Sequence, residues 1–224
     1  MKTQKFKQTE LKKRLKEIEK LPLTMECKIL SIANSDNSEN FNKYKEDLLL
    51  QFQNIIESYK KLSDGDKTLG CISQEILLNS AIEGLLKIIL FFDEPYDYLM
   101  IERKNRSLGK LKDKIIKKIK EKEKNEEKNK DKIKVITAVL GLINELRNTF
   151  VHFPFYSEKD YRFEYIYFQL IAYLIETFGY WDQLDEKICN YIKEKAREKP
   201  EGIDLLRGYK LFEDETNQNQ LQTN

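Results

Sequence analysis

Residues 72–92 read ISQEILLNSAIEGLLKIILFF, and in a helix their apolar side chains would cover nearly every face. Other elements must shield such a helix from water on all sides, which places it in the middle of a bundle. Its most apolar part, residues 84–92, is interrupted by Lys87 and is too short to cross a bilayer. This segment therefore predicts the central helix of a helical bundle, and no membrane partner is expected.

Apolar residues recur at helical spacing on both sides of this segment. From Tyr44 to Leu62 they fall three or four positions apart, and Ser107 and Asp131 are predicted N-caps of two later helices. With only eight Gly and four Pro, the composition suits long helices better than turn-rich sheets. We predict an all-α fold, an up-and-down bundle of four to five helices. The bundle helices are predicted at about residues 44–62, 72–92, 108–119, 131–152 and 157–180, followed by a last helix at about residues 184–197.

The composition divides the chain of 224 residues into three parts. Residues 1–41 are predicted to form a charged amphipathic helix followed by a polar linker. Residues 42–199 carry the bundle. Residues 200–224 form a C-terminal segment whose acidic, amide-rich end is expected to be disordered. A chain of this length is enough for one domain with an appendage.

Charge is distributed unevenly along the chain. The net charge of +2 provides no overall basic field of the kind that many nucleic-acid-binding proteins carry, and DNA is not an expected partner. Residues 103–134, however, hold fifteen Lys or Arg against six Asp or Glu. Lys110, Lys112 and Lys117 in this run are candidate RNA-binding residues, and a solvated helix or loop without a specific role is the other interpretation. Residues 120–132 include no apolar residue, so they are expected to form an exposed helix extension or a mobile loop and not to contribute to the core.

The cysteines indicate whether a metal site is expected, and the start of the chain indicates where the protein is located. Cys27, Cys71 and Cys189 are odd in number, widely spaced and without C-x-x-C pairing, which argues against a disulfide framework and a zinc site. With a single histidine in the chain, no metal and no other cofactor is expected. The N-terminus has positive charge but no apolar run behind it, so no signal peptide is predicted. We expect a cytoplasmic protein.

Residues 144–154 read NELRNTFVHFP and contain the only histidine of the chain, His152. In a helix, Asn148 lies four residues before His152 and shares its face, and the long Arg147 side chain can reach the same side. Pro154 disfavours helical geometry at the residue before it, so the helix is expected to end there. The imidazole would then lie beside carbonyl groups that have no helical partner and favour a positive charge. Arg147, Asn148 and His152 are therefore the candidate catalytic residues.

The order Arg147, Asn148, three residues, His152 resembles the signature of HEPN domains, which are all-helical modules. Their motif is an arginine, four to six residues, and a histidine, usually with a polar residue straight after the arginine. Residues 81–87, AIEGLLK, also resemble the second helix of many HEPN proteins. The resemblance implies a homodimeric ribonuclease in which the motifs of both subunits form one cleft. It also implies a toxin or phage-defence setting, with an antitoxin or regulatory protein as partner.

Tyr156 lies four residues after His152, close to the motif in the sequence. In the toxin branch that is paired with a nucleotidyltransferase antitoxin, the resemblance implies a tyrosine two residues after the histidine as the target of modification. Here Pro154 occupies that position, so this type of regulation is not implied for the chain. Tyr156, two residues further on, is a candidate substrate-binding residue because its hydroxyl could reach the cleft.

RNA cleavage needs no metal when the 2′-hydroxyl of the substrate attacks the adjacent phosphate. A base must take its proton, and a cation must stabilise the developing charge. His152 fits the first role and Arg147 the second, while Asn148 would position the phosphate or orient the imidazole. The product would carry a 2′,3′-cyclic phosphate. Because each chain has one histidine, an acid histidine and a base histidine can come only from two chains.

Other interpretations of these residues stay open. The three motif side chains could hydrogen-bond only the helix end and the loop after it. The domain could be a catalytically silent helical module that binds RNA, a nucleotide or a partner protein, with the motif as a polar dimer seam. The lysine-rich run could be an adaptor for ribosomes or acidic proteins. Glu83 and Lys87 are four residues apart, and an ordinary intrahelical ion pair is a simpler interpretation than a role in the site.

Overall fold

The computed structural model describes residues 38–63, 67–95, 98, 108–123, 129–152, 161–199 and 211–212. In this part of the chain the protein is all-helical, with six α-helices and no strand, which confirms the predicted all-α class. The helices are α1 (Ser38–Ser63), α2 (Lys67–Asp93), α3 (Leu108–Lys122), α4 (Asn129–His152), α5 (Tyr161–Phe178) and α6 (Glu186–Arg197). A short 3₁₀ helix, Trp181–Gln183, lies between α5 and α6.

α2 is the central helix of this bundle, as its apolar sequence predicts. It packs against α1, α3, α4 and α5. Ile82, Leu86 and Ile89 are fully buried in these contacts. Burying a side chain of this size stabilises a fold by about 1.5–3 kcal/mol relative to leaving it in water. No helix within the described ranges is both long enough and apolar enough to span a membrane.

α1 lies antiparallel to α2. Tyr44, near the start of α1, packs edge-on against Phe91, near the end of α2, with ring centroids 4.9 Å apart. Further along α1, Phe52 and Tyr59 are buried in the core. α1 begins at Ser38 rather than at Tyr44, so its first residues belong to the segment that the composition marks as a linker. The rest of the predicted N-terminal helix and linker lies outside the described residues.

α3 and α4 are also antiparallel. At one end, Gly109 of α3 approaches Asn144 of α4 so closely that a Cβ atom on the glycine would lie 3.0 Å from the Asn144 Oδ1 atom. At the other end, the Lys132 Nζ atom of α4 lies 3.5 Å from an oxygen of Glu123, which directly follows α3. The start of α3 therefore lies beside the part of α4 that carries the motif.

None of the described residues in 120–132 belongs to the hydrophobic core, as predicted, but two of them contact its surface. The buried Tyr173 of α5 donates a hydrogen bond of 2.7 Å to Glu123. The Lys132 ammonium lies 4.7 Å from the centre of the Tyr173 ring. Glu123 therefore meets the Tyr173 hydroxyl and Lys132 covers its ring, since a charged side chain can bury its stem while its polar end finds a partner.

The N-cap predicted for α4 is also wrong. The helix begins at Asn129, so Asp131 lies in its first turn rather than before it. The Asp131 carboxylate accepts a hydrogen bond of 2.7 Å from Lys134. An acidic side chain is favoured in the first turn by the helix dipole whether or not it caps the helix, which is why the sequence pattern points to the right region but the wrong residue.

The C-terminal part of the chain is tied to the core through Gln169, a buried residue of α5. Its Oε1 atom accepts hydrogen bonds from the backbone N–H groups of Leu211 and Phe212, at 2.9 and 3.1 Å. Its Nε2 atom donates to the Ala196 carbonyl at 2.5 Å. Leu211 and Phe212 are themselves buried. The core therefore includes residues beyond residue 199, where the bundle is predicted to end.

Candidate active site

α4 carries the motif on its last two turns and ends at His152, as Pro154 predicts. Positions 148 and 152 are about one helical turn apart on this end of α4. The Arg147 side chain is partly exposed and Asn148 is exposed. The His152 side chain and the whole of Tyr156 lie outside the described residues, so their placement stays a prediction.

The Arg147 side chain contacts the central helix through Glu83. One guanidinium nitrogen, Nη2, lies 3.3 Å from the Glu83 Oε2 atom. The other carboxylate oxygen, Oε1, accepts a hydrogen bond of 2.6 Å from Lys87, one turn further along α2. The intrahelical pair predicted from the spacing of Glu83 and Lys87 is confirmed, and the same carboxylate also reaches the motif. We refer to Glu83, Lys87 and Arg147 as the ion-pair cluster.

The ion pair between Glu83 and Arg147 was not predicted from the sequence. The two residues lie on different helices and far apart along the chain, so no local spacing relates them. One signal could have suggested the link. A carboxylate on a helix that is covered on nearly all sides needs partners for both of its oxygens, and Lys87 can satisfy only one of them at short distance.

The ion-pair cluster is partly open to solvent. The exposed fraction of the side chain is 19% for Glu83, 31% for Lys87 and 36% for Arg147. Ion pairs at this exposure contribute at most about 1 kcal/mol each, so Arg147 can exchange Glu83 for another anion. Two cations and one carboxylate leave one positive charge in excess. The guanidinium also has a fork of N–H donors that matches the oxygens of a phosphate.

A groove of about 390 Å³ lies between α1 and α2, and the ion-pair cluster lines part of it. Leu48 and Ile55 of α1 and Ile76 of α2 line its apolar part, together with the buried Phe52. Ile76 precedes Glu83 by seven residues, which is about 10 Å along α2, whereas Leu48 lies near Lys87 because α1 and α2 are antiparallel and Tyr44 packs on Phe91. The volume falls in the range of about 300–1,000 Å³ that is usual for ligand pockets.

The three candidate RNA-binding lysines lie on α3. Lys110 and Lys117 are exposed and Lys112 is half-buried. The Lys117 Nζ atom is 4.0 Å from a carboxylate oxygen of Glu121. Because Gly109 lies beside Asn144 and the two helices are antiparallel, α3 runs away from the end of α4, and Lys117 is about 10 Å further along than Lys110. The structure therefore separates Lys117 from the other two.

Lys118, in the same lysine-rich run, has a structural role. Its side chain is buried and contacts the carboxylates of Asp93 and Glu94 at the end of α2, the latter at 3.1 Å. Burial lowers the pKa of this ammonium, but its hydrogen bonds to both carboxylates outweigh burial, and the pKa is raised. Lys118 therefore stays charged and joins α3 to α2.

Metal-ligating and nucleophilic side chains within the described ranges point to no second site. Within the described ranges, no three side chains of His, Cys, Asp or Glu cluster closely enough to hold a metal ion. Cys189 is buried, and its thiol donates to the Trp181 carbonyl at 3.4 Å. Burial raises the pKa of this thiol, which keeps it protonated and poorly nucleophilic at neutral pH. The ion-pair cluster and its groove therefore form the candidate site.

Comparison with known proteins finds no match to this chain. No family model, no curated protein and no solved structure matches the chain. The resemblance to HEPN domains therefore depends on the motif and on residues 81–87, and the function is inferred from the geometry around Arg147.

Proposed function

We propose that the protein is a metal-independent endoribonuclease of the HEPN type. The observation that carries this proposal is the position of Arg147. It lies on the helix that ends at His152, and it borders a groove of ligand size beside an excess positive charge. A cation of this kind is suited to bind a phosphate of single-stranded RNA. The antiparallel pairs α1–α2 and α3–α4 support an up-and-down, HEPN-like bundle.

In the proposed reaction, His152 takes the proton of the substrate 2′-hydroxyl, and the 2′-oxygen attacks the adjacent phosphorus. Arg147 stabilises the added negative charge on the phosphorane, and Asn148 positions the phosphate or orients the imidazole. The bond from phosphorus to the 5′-oxygen then breaks, and a second histidine protonates that oxygen. The products are a 2′,3′-cyclic phosphate and a free 5′-hydroxyl.

A homodimer is part of this proposal. Each chain has one histidine, so the acid and the base would be two copies of His152 from two subunits. The carbonyls of the last turn of α4 have no partner within the helix, and they would favour a protonated imidazole, which suits the copy that acts as the acid. The composite cleft would bring both motifs to one phosphate.

Glu83 is a positioning residue in the proposed site. Its carboxylate holds Arg147 beside the groove in the free protein. A phosphate can replace the carboxylate because the pair is partly exposed and contributes at most about 1 kcal/mol. Lys110 and Lys112 would contact the RNA backbone near the cleft, with Lys117 further out and Tyr156 beyond the motif. The resemblance implies a toxin or phage-defence role in the cytoplasm, controlled by an antitoxin or regulatory protein.

RNA cleavage in excess EDTA tests the proposal. The purified protein is incubated with mixed cellular RNA beside Arg147→Ala and His152→Ala variants, and the fragment ends are analysed. We expect the wild type to leave cyclic-phosphate ends. Each alanine variant should be slower by at least about a hundredfold, because acid–base catalysis and charge stabilisation each contribute that much.

Arg147→Lys is the matched control for this experiment. It keeps the positive charge but loses the planar fork of donors, so it should retain more activity than Arg147→Ala. Cleavage that survives His152→Ala would contradict the proposed nuclease.

A catalytically silent module that binds RNA, a nucleotide or a partner protein is the second candidate. The pairing of Arg147 with Glu83 favours it, because a guanidinium held by a carboxylate also suits a structural seam. RNA binding that weakens with salt, without cleavage by the wild type, would identify this function. An adaptor role of the lysine-rich run would instead require loss of partner binding when lysines between Lys110 and Lys134 are neutralised.

A further inference from the structure

Lys87 and Arg147 are held close together by one carboxylate. The Glu83 Oε1 atom accepts a hydrogen bond of 2.6 Å from the Lys87 ammonium, and the Oε2 atom lies 3.3 Å from Nη2 of Arg147. Two oxygens of one carboxylate are about as far apart as two oxygens of one phosphate, and both groups bind the same donors. Lys87 and Arg147 are therefore near enough to each other for a single phosphate to contact both.

Both cations have donors left for such a phosphate. An ammonium and a guanidinium each have several N–H donors and no acceptor. Within the described ranges, Glu83 is the one acidic side chain that contacts either Lys87 or Arg147. Both cationic side chains are partly exposed and line the groove. A phosphate in the groove can therefore reach both of them while Lys87 keeps its hydrogen bond to Glu83.

Gly84 leaves space for a ligand beside these side chains. It directly follows Glu83 and lines the same groove. It also precedes Lys87 by three residues, so the two are neighbours on the surface of α2. Within the described part of the chain, a Cβ atom on Gly84 would have no neighbour within 4 Å. The floor of the groove is therefore open next to the two cations.

We propose that Lys87 and Arg147 bind one phosphate of the RNA between them, over Gly84, which makes Lys87 a further substrate-binding residue. This inference rests on the proposed function, because it completes the phosphate site of the same groove. Lys87 lies on α2 and outside the motif, so the motif alone does not predict this role. The ligand is a phosphate diester of single-stranded RNA, and a second cation on it strengthens binding because one more counterion is released.

The experiment measures the affinity of the full chain for a fluorescent 2′-O-methyl uridine hexamer as a function of salt concentration. The blocked 2′-oxygen cannot attack, so binding is measured without the proposed cleavage. Each phosphate contact of a single strand contributes about 0.7 to the slope of log affinity against log salt. Lys87→Gln should lower the slope by about that amount and weaken binding about fivefold at about 0.1 M salt.

Lys134→Gln is the matched control for this variant. Lys134 also pairs with a carboxylate of its own helix, at 2.7 Å from Asp131, and it lies about 20 Å before Arg147 along α4. Its substitution removes the same charge from the protein and should leave the salt slope unchanged. Equal changes of slope in the two variants would overturn the inference, because they would report only the net charge.

A second pair of variants tests the open space at Gly84. Gly84→Glu brings a carboxylate beside the cations that competes with the phosphate, so binding should weaken by at least about tenfold. Gly141→Glu adds the same charge where a Cβ atom has no described neighbour within 4 Å. It lies about 9 Å before Arg147 along α4, and salt screens its charge, so the affinity should change by at most about twofold. Equal effects of both variants would contradict a phosphate over Gly84.

A counter-ion role for Lys87 is distinguished with Glu83→Gln. If Lys87 served only to neutralise Glu83, Lys87→Gln would weaken binding in the wild type but not in the Glu83→Gln background. We expect the loss to persist in that background, because the ammonium contacts the phosphate itself. A loss that disappears there would overturn the inference, and so would a wild type that does not bind the hexamer.

The EDTA cleavage assay separates this inference from the proposed function. Lys87→Gln should lower kcat/KM by about fivefold or more, because its contact with the phosphate is lost in the transition state as well. Cleavage that depends on His152 and is unchanged by Lys87→Gln would refute the shared phosphate site alone. A salt slope that depends on Lys87, in a protein that cleaves no RNA, would refute the nuclease and leave a phosphate-binding site.

Discussion

Single buried polar residues join distant parts of this fold. Gln169 accepts from the N–H groups of Leu211 and Phe212 and donates to the carbonyl of Ala196. An apolar side chain at this position would remove all of these hydrogen bonds from backbone groups inside the core. Nothing in the sequence around Gln169 marks it for this role, because its partners come from segments that only the packing brings together.

Gln169→Leu should therefore lower the free energy of unfolding by about 3 kcal/mol, because it leaves several buried backbone groups unsatisfied. Gln53→Leu is the matched control. Gln53 accepts one hydrogen bond of 2.6 Å from the Asp185 N–H at an exposed place, and its loss should cost about 1 kcal/mol or less. Urea denaturation measures both, and equal losses for the two variants would contradict the role given to Gln169.

At the scale of helices, α3 can lie close to α4 because Gly109 has no side chain. Gly109 lies against Asn144, and a Cβ atom there would already be in tight contact with the amide. Arg147 lies one turn beyond Asn144 on the same helix. The spacing of these two helices therefore bears on both stability and the geometry of the candidate site.

Gly109→Val should lower the free energy of unfolding by about 1–3 kcal/mol, because the new side chain would push Asn144 and α4 away. It should also slow the proposed RNA cleavage by displacing Arg147. Gly141→Ala on α4 is the matched control, since a Cβ atom there has no neighbour within 4 Å. That variant should gain up to about 1 kcal/mol from helix propensity. Thermal and urea unfolding measure both, and a neutral effect of Gly109→Val would contradict the close approach.

At the scale of the whole molecule, local patterns predict the helices and miss the contacts between them. The apolar faces of residues 72–92 predict a central α2, and Pro154 predicts that α4 ends at His152. The pairing of Glu83 with Arg147 depends on how α4 crosses α2, which no spacing within either helix specifies. The sequence therefore predicts the fold class and which helix carries the motif, but only the packing locates the groove beside it.

The core as a whole should be sensitive to alkaline pH. Burial raises the pKa of four tyrosines, Tyr59, Tyr167, Tyr173 and Tyr180, above the ordinary value of about 10, and nearby carboxylates add to the effect. Their neutral forms stabilise the folded state below pH about 10. Above that pH the unfolded chain loses protons that the folded chain keeps, so stability should fall.

Each of these tyrosines contributes a slope of up to about 1.4 kcal/mol per pH unit. Urea midpoints measured from about pH 8 to about pH 11 should be level at first and then decline. Tyr173→Phe should make the decline less steep, because it removes one of the four groups. A midpoint that does not change across this range would contradict the burial of these hydroxyls.

The central position of α2 also has a consequence for motion. Because α2 packs against four helices, most of its amide hydrogens can exchange with solvent only when the bundle unfolds as a whole. Glu83 and Lys87 therefore lie on the helix that we expect to open least often in the described part of the chain. Arg147 lies on the last turns of α4, where local opening costs least. In the proposed reaction, the end of α4 should move when RNA binds, while the Glu83 carboxylate stays fixed as the reference point of the site.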